Sequence, residues 1–189
     1  MTLPDCKELL LSESDGILTI TLNRPHKRNA MNSELVCELM DVFISIKNDQ
    51  NIRAVVLRGA DGNFCAGGDI SGMNKDSLSE EAAAKLMWDF NRNFGRMITL
   101  VNHAPHVVIT MLEGAVLGGG FGLACISDVA ITHKDALVAL PETGLGLVPA
   151  QIAPFVVSRI GITQARRLAL LGERLNGTEA QALGGGQAV

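Results

Sequence analysis

Aromatic residues are scarce in this 189-residue chain: they make up 4% of the positions, and tyrosine is absent. A module that stacks nucleic-acid bases on aromatic side chains is therefore not expected. Positive charge is not in excess either, since the formal net charge is −4 at pH 7. A chain of this charge has no general attraction for DNA or anionic lipid, so we expect no nucleic-acid partner.

Paired cysteines and long apolar runs are also missing. No C-x-x-C motif joins the four cysteines, which argues against zinc and dithiol redox sites: Cys6, Cys37, Cys65 and Cys125. No apolar stretch reaches the roughly 20 residues of a membrane span. The N-terminus lacks the basic start and apolar run of a signal peptide. We predict a cytoplasmic protein with packed thiols and no membrane partner.

Strands and helices alternate along the chain. Runs of β-branched and apolar residues predict strands at 17–22, 54–58, 107–112, 128–132 and 136–140. Apolar residues at helical spacing predict helices from residue 32 or 33, at about 78–101, after the GGG segment, near 150–159 and at 164–171. Ser77 with Glu80 fits a helix capping box, and Thr178 with Gln181 opens a last short turn. This order is typical of one α/β domain with mostly parallel strands.

Two glycine-rich loops, CAGGD at 65–69 and LGGGFG at 117–122, each follow a segment of buried character. Glycine lets backbone approach a ligand closely. A loop that opens a helix leaves N–H groups free at the positive end of the helix dipole. Two such loops can aim two N–H donors at one oxygen and stabilise an oxyanion. For either loop alone, a tight turn is the simpler interpretation. The P-loop, the dinucleotide fingerprint and the G-x-S-x-G elbow are absent.

Four segments resemble the enoyl-CoA hydratase/isomerase (crotonase) family in their order and spacing: LNRPHKRNAMN, VVLRGADGNFCAGGDI, LEGAVLGGGFGLACISDVAI and LPETGLGLVPAQIAPFVV. The resemblance implies a spiral of ββα turns with two roughly perpendicular sheets. It predicts a spiral core domain over 1–183 and an atypical tail over 184–189. Family members continue beyond the ALG of TEAQALG, so we expect the C-terminal helical region to be missing.

The same resemblance implies an acyl-CoA substrate, with no bound cofactor beyond the coenzyme A that the substrate carries. The thioester oxygen would lie between the backbone N–H groups of Ala66 and Gly119. The basic loop of Arg24, Lys27 and Arg28 would dock the phosphates of coenzyme A, although a solvated loop is the alternative. The residues implied to bind the substrate are Arg24, Lys27, Arg28, Ala30, Ala66, Gly67, Gly68, Asp69, Ile70, Gly119 and Gly122.

Family hydratases usually use two glutamates, and this chain matches one of them. Glu142, in PETGLG, is implied to be catalytic, and burial would raise its pKa. Gly122 stands where the second glutamate is expected, and neither Glu113 nor Asp128 replaces it. The chain could be a hydratase that uses Glu142 alone, an isomerase with one carboxylate, or a non-catalytic subunit that binds coenzyme A. His103 and His106 have no adjacent carboxylate or thiol, so no metal site is predicted.

The substrate class is implied by FGLACISD and PAQIAPFVVSRIG, which resemble bacterial hydratases of glutaconyl-type thioesters. This favours hydration of isohexenylglutaconyl-CoA or methylglutaconyl-CoA, in acyclic terpene or leucine catabolism. Glycine at position 122 would also clear space for a branched carbon. The family implies a homotrimer or hexamer for an intact chain, and we expect poor assembly without the C-terminal helices.

Overall fold

The computed structural model describes residues 2–69 and 79–188. Strands β1 (Leu9–Ser14) and β2 (Ile17–Leu22) form an antiparallel hairpin. Its two turn residues, Asp15 and Gly16, both have positive φ, which suits the twist of a tight hairpin. The chain continues through helix α1 (Ser33–Ile46) to β3 (Ala54–Gly59), which pairs in parallel with β2.

The second half of the chain alternates short strands with helices. In chain order these elements are α2 (Glu80–Asn102), β4 (Val107–Leu112), β5 (Ala115–Leu117), α3 (Gly119–Ile126), β6 (Val129–Thr132), β7 (Leu137–Ala139), α4 (Ala153–Leu171), β8 (Arg174–Leu175), α5 (Gly177–Ala182) and β9 (Gln187–Ala188). Two 3-10 turns, Pro25–Lys27 and Pro141–Leu145, complete the description. None of the described helices is long and apolar enough to cross a bilayer.

The strands form two sheets. The larger has the order β1-β2-β3-β4-β6-β9 and is parallel apart from the first hairpin, and the smaller has the order β5-β7-β8. The predicted α/β fold with mostly parallel strands is therefore confirmed. Residues Gln187–Ala188, within the predicted tail, pair with Ile131–Thr132 of β6.

Several local predictions need correction. Residues Ala115–Leu117, for which no strand was predicted, form β5 because their backbone pairs with β7. Helix α2 is capped by the Ser79 hydroxyl, which accepts from Ala82 N–H, while the predicted cap Ser77 lies outside the described residues. Helix α5 begins with a capping box of Asn176 and Glu179 in place of the predicted Thr178 and Gln181.

One apolar core joins both sheets and their helices. As the composition predicts, it consists mainly of aliphatic side chains, with Phe64 and Phe121 fully buried among them. Helix α1 shows the local cause: Asn32 caps it by accepting from Leu35 N–H at 2.9 Å, and its apolar side chains recur at helical spacing and are buried. Of the four thiols, only Cys65 and Cys125 are buried, so the packed-thiol prediction is correct for these two alone.

The smaller sheet positions three segments beside one another. Strands β5 and β7 are parallel neighbours, so their carboxyl ends lie at the same edge. The N-terminus of α3 follows β5, and the turn Pro141–Leu145 follows β7. Cys65 extends this sheet through a parallel bridge to Val116. The CAGGD loop, the GGG loop and the PETGL turn therefore meet at one edge.

Candidate active site

A cavity of about 400 Å³ lies where these three segments meet. Glycines from both loops line it, as do Met87, Phe90 and Phe94 from α2 and residues from the segment 141–152. The lining is therefore largely apolar, with backbone polar groups on one side, which is typical of small-molecule sites.

The CAGGD loop runs parallel to residues 28–31. Ala66 N–H donates to the Arg28 carbonyl at 3.0 Å, Met31 N–H donates to the Gly67 carbonyl at 2.8 Å, and Asp69 N–H donates to the Met31 carbonyl at 2.8 Å. These bonds fix the loop's register at both sides of Gly68. The predicted assignment of Ala66 as an oxyanion donor is wrong, because its N–H is already bonded to Arg28.

Gly68 is placed differently from its neighbours. It forms the parallel bridge to Met31, in which Gly67 and Asp69 make the hydrogen bonds. Successive residues of an extended segment present their N–H groups on opposite edges, so the Gly68 N–H points away from Met31, opposite to the N–H of Asp69. Gly68 is exposed and lines the cavity, and its N–H has no partner among the described residues. The available donor of this loop is therefore Gly68.

The GGG loop supplies a second available donor. Gly118 has φ 51° and ψ −116°, a conformation that side chains strongly disfavour, and its N–H donates to the Ala139 carbonyl at 3.0 Å. Gly119 is the first residue of α3 and lines the cavity. Helix geometry leaves its N–H without an intrahelical acceptor, and no other acceptor is found in the described part of the chain.

The carboxyl group of Glu142 lies against the GGG loop. A Cβ added to Gly118 would be 2.7 Å from Glu142 Oε1, so the missing side chain is what lets the carboxyl group approach. Glu142 is half-buried and lines the cavity, and its Oε2 is buried without a hydrogen-bond partner among the described residues. Burial raises the pKa of Glu142 above the usual value of 4.5, the direction predicted from the sequence.

Gly122 does not lie on the cavity wall. It is buried in α3, and a Cβ there would overlap Ile152 Cγ2 and lie 3.0 Å from Ile152 Cβ and 3.2 Å from Ile98 Cδ1. The predicted free space at this glycine is wrong, because Ile152 fills it. Ile152 itself lines the cavity and is 3% exposed.

Among the described residues, Glu142 is the one carboxylate that lines the cavity. Asp128 accepts from Val108 N–H at 2.8 Å and so has a structural role. Glu113 is 3.7 Å from Arg58 and half-exposed. No group of three His, Cys, Asp or Glu side chains suited to a metal ion occurs in the described ranges.

The basic loop divides into a buried and an exposed part. Arg24 is 7% exposed, its Nη2 is 2.9 Å from Asp69 Oδ2, and its Nη1 donates to the Ala30 carbonyl. Arg24 and Asp69, predicted to contact the substrate, pair with each other through their side chains, and neither lines the cavity. Lys27 and Arg28 are exposed, whereas Ala30 is buried.

The cavity brings together only part of the predicted site. Ala66, Gly67, Gly68, Gly119 and Glu142 line it, and the basic-loop residues do not. The predicted contact Ile70 lies outside the described residues. Sequence reasoning missed Gly118, Ile152 and the α2 side chains. The first glycine of GGG was a detectable signal for Gly118, but no local pattern marks the others.

The family model of enoyl-CoA hydratase/isomerase matches residues 12–187. The chain belongs to the enoyl-CoA hydratase/isomerase family. Its fold is the crotonase-like α/β fold, since the chain superposes on Pseudomonas aeruginosa AtuE with a TM-score of 0.92 at 53% identity, over 97% of this chain and 70% of that one. An enoyl-CoA hydratase/isomerase from Marinobacter aquaeolei gives 0.90 at 53% identity, over 97% and 71% of the two chains.

Curated relatives have several activities on coenzyme A thioesters. The chain is 29% identical to 3-hydroxyisobutyryl-CoA hydrolase 1 of Arabidopsis thaliana, over 94% of this chain and 46% of the relative. It is 31% identical to 1,2-epoxyphenylacetyl-CoA isomerase of Escherichia coli K12, over 94% and 68%. The chain thus spans about half the length of the first of these. The family therefore includes hydrolases and an isomerase besides hydratases.

Proposed function

We propose that this chain binds an acyl-CoA thioester and hydrates its conjugated double bond, with Glu142 as the proton-transferring group. The observation that carries the proposal is the position of the Glu142 carboxyl group, whose Oε1 lies 2.7 Å from where a Cβ on Gly118 would be, next in the chain to Gly119 with its free N–H. A titratable group with a raised pKa and an available donor then face one cavity. Such a pairing is typical of active sites.

In this proposal the thioester oxygen lies between the N–H groups of Gly68 and Gly119. Both belong to cavity-lining glycines, and both lack an acceptor among the described residues. As negative charge develops on the oxygen in the enolate-like transition state, these fixed donors stabilise it without having to reorganise. The positive end of α3 adds to the effect at Gly119.

Glu142 then performs both proton transfers. Its carboxylate takes a proton from water while the water oxygen bonds to the β-carbon and the double-bond electrons move onto the thioester. The protonated carboxyl group next gives its proton to the α-carbon, and the enolate collapses to the saturated thioester. The raised pKa supports this role, because a group that must both accept and donate works best when its pKa is close to the ambient pH.

For the substrate we favour a 3-branched glutaconyl-CoA, either isohexenylglutaconyl-CoA or methylglutaconyl-CoA. The support is the sequence resemblance of the segments after GGG and PETGLG, together with the apolar wall at Leu145 and Leu147 that could receive a branch. Lys27 and Arg28, which are exposed in the loop between β2 and α1, would contact the coenzyme A phosphates. Homotrimers or hexamers, as in the resembled family, are part of the same proposal.

A second candidate, enoyl-CoA isomerisation, is favoured by the filled space at Gly122. Ile152 takes the volume into which a second carboxylate would project, so no second group is available there to orient water. Moving a double bond needs one carboxyl group that removes a proton from one carbon and returns it to another. Glu142 alone can do this.

Turnover on a panel of enoyl-CoA thioesters tests the proposal, with 3-branched glutaconyl-CoA and linear crotonyl-CoA among the 2-enoyl substrates and a 3-enoyl-CoA included. Hydration incorporates ¹⁸O from labelled water, whereas isomerisation leaves the product without label. Labelled product from 2-enoyl substrates supports the hydratase, and unlabelled 2-enoyl product from the 3-enoyl substrate supports the isomerase. Thioester binding without any turnover would contradict both and indicate a non-catalytic coenzyme A-binding subunit.

A further inference from the structure

A buried ionic cluster lies behind the CAGGD loop. Its centre is the Arg24 guanidinium group, whose side chain is 8% exposed. Arg24 Nη2 is 2.9 Å from Asp69 Oδ2, and Arg24 Nε is 3.3 Å from Glu8 Oε2. The Nε contact with Glu8 is electrostatic, since Nε has no hydrogen bond of good geometry.

The cluster connects three segments that are far apart in sequence. Glu8 Oε1 accepts from Asn32 Nδ2 at 3.1 Å, and Asn32 caps α1. Arg24 Nη1 donates to the Ala30 carbonyl, beside the stretch that hydrogen-bonds to the loop. Asp69 is next to Gly68 in the chain. One guanidinium group therefore fixes both the stretch 28–31 and the loop that lies on it.

The Gly68 N–H makes no hydrogen bond among the described residues, and the peptide that carries it is oriented at its other end, where the Gly67 carbonyl accepts from Met31 N–H at 2.8 Å. Its position depends on Gly67 and Asp69, which bond to Met31 on either side. On the Gly67 side a further restraint is the close contact with the GGG loop, because a Cβ there would be 3.2 Å from the Leu117 carbonyl oxygen. On the Asp69 side the additional restraint is the ion pair with Arg24.

We infer that the Arg24–Asp69 ion pair is a positioning device that holds the Gly68 N–H in its direction toward the thioester oxygen. This inference rests on the proposed function, in which Gly68 is an oxyanion donor. Arg24 and Asp69 do not touch the substrate in this scheme, and they act through the backbone of residue 68. A buried pair suits this role because water and salt screen the attraction between its two charges only weakly.

The charge of Asp69 allows positioning to be separated from a simple electrostatic effect. A carboxylate one residue from the donor would by itself oppose the developing oxyanion, and Arg24 compensates it. Asp69→Asn removes the negative charge and leaves Arg24 in place. If charge alone mattered, this variant would react faster. If positioning matters, the variant reacts more slowly, because an amide holds the guanidinium less firmly than a carboxylate does.

The first test compares Asp69→Asn with Glu113→Gln, a matched acid-to-amide change in the exposed Arg58–Glu113 ion pair. We expect Asp69→Asn to lower kcat about tenfold with KM changed less than about twofold, which is less than the loss of a whole oxyanion donor. Glu113→Gln should leave both constants unchanged. An unchanged or increased kcat in Asp69→Asn would overturn the inference.

The second test reads the hydrogen bonds to the thioester directly, and a merely structural role would not affect it. The infrared band of a ¹³C-labelled thioester carbonyl should move to lower wavenumber on binding to the wild type, and less so on binding to Asp69→Asn. An equal shift in both proteins would overturn the inference and leave the proposed hole intact. No shift in the wild type would overturn the hole and the positioning role together.

Arg24→Lys supplies a further comparison, because it keeps the positive charge but cannot reach Asp69 and the Ala30 carbonyl together as a planar fork can. We expect a smaller infrared shift and a lower kcat than in the wild type, in the same direction as for Asp69→Asn. If this variant unfolds, the result from the isosteric Asp69→Asn decides. A folded Arg24→Lys protein with wild-type kcat and infrared shift would contradict the inference.

Discussion

The two sides of the cavity differ in how firmly their backbone is held. One side is the CAGGD loop, in which nearly every residue forms a backbone hydrogen bond to a neighbouring segment, and the other side is an exposed apolar turn. On the first side, Cys65 bonds to β5 and Ala66, Gly67 and Asp69 bond to residues 28–31. On the second side, residues 143–148 are all exposed, and Val148 is 80% exposed. The first side is therefore suited to precise donor geometry, and the second to accommodating different acyl groups.

Glu142 joins these two sides, and its replacement should have the largest effect. We expect Glu142→Gln to lower kcat by about 10²–10⁴-fold with little change in thioester affinity, because the proton-transferring group is lost while the cavity keeps its shape. Steady-state kinetics and a binding titration measure the two quantities. Glu113→Gln serves as the control. Turnover near the wild-type level would remove Glu142 from the mechanism.

The same glycine-to-alanine substitution can be made on both sides of the cavity, at Gly118 in the GGG loop and at Gly144 in the exposed turn. Gly118→Ala places a methyl group 2.7 Å from Glu142 Oε1 on a backbone with φ 51°, whereas a Cβ on Gly144 meets nothing within 4 Å. We expect Gly118→Ala to cost about 1–3 kcal/mol of stability and to lower kcat about 100-fold by displacing the carboxyl group and the adjacent donor. Gly144→Ala should change neither property appreciably. Chemical denaturation and kinetics of both variants would show whether the sides differ as stated.

Substitutions at Gly122 and Ile152 test whether the two residues are tightly packed against each other behind the cavity wall. Position 122 is where family hydratases usually carry their second glutamate. Gly122→Ala should destabilise the fold by about 1–3 kcal/mol, because the new methyl group overlaps Ile152. Ile152→Ala should recover much of this loss in a double-mutant cycle. Independent, additive effects of the two changes would mean that the residues do not share this space.

The same pair tests whether the space filled by Ile152 limits hydration. Gly122→Glu alone should not improve hydration of a linear enoyl-CoA, since Ile152 occupies the volume that the carboxylate needs. Combined with Ile152→Ala, the glutamate gains room to orient water, and kcat/KM for hydration should rise. Ile160→Ala, an equal truncation in α4 outside the cavity lining, is the control partner. Improvement by Gly122→Glu alone would contradict the filled-space interpretation.

The exposed part of the basic loop should affect binding only. Replacing Lys27 and Arg28 with Ala should raise KM about 3- to 10-fold at low salt and leave kcat unchanged, because screened charge pairs at a surface contribute modestly. The dependence of KM on salt should flatten as well. Lys134→Ala removes an exposed charge elsewhere and should have no effect. An unchanged KM in the double variant would leave the loop as a solvated turn.

The smallest expected effect is on the pH dependence of stability. Burial raises the pKa of Glu142 in the folded state, so the unfolded chain loses this proton first as the pH rises. Glu142 therefore destabilises the fold increasingly as the pH rises above about 4.5, until its folded pKa is passed. Glu142→Gln should therefore gain stability relative to the wild type as the pH rises above about 4.5, and the difference should be smallest below that pH. Denaturation at several pH values measures this difference. An identical gap at all pH values would contradict the raised pKa.

Much of the fold could be predicted because its signals are local. Strands such as Ile17–Leu22 and Ala54–Gly59 carry apolar, β-branched residues in unbroken runs, and α1 carries both its cap and its buried stripe in consecutive residues. Strand β1 was missed because only Leu9 of its six residues is buried, so it lacks the apolar alternation of a core strand. Strands β5, β8 and β9, of two or three residues each, were also missed. Such short elements exist only because a partner strand pairs with them.

The sequence was sufficient to identify three segments that line the cavity, CAGGD, GGG and PETGL, and the family resemblance singled out Glu142 in the last of them. Which atoms are available there was decided only by the tertiary structure. Pairing with residues 28–31 occupies the N–H groups of Ala66 and Asp69 and leaves that of Gly68 free, because the positive φ of Gly67 (97°) interrupts the regular alternation of N–H directions between residues 66 and 68. The burial of Arg24 against Asp69 and the filling of the space at Gly122 by Ile152 likewise join residues 30 or more positions apart. No local pattern in a sequence encodes such contacts, because they depend on how separate elements pack.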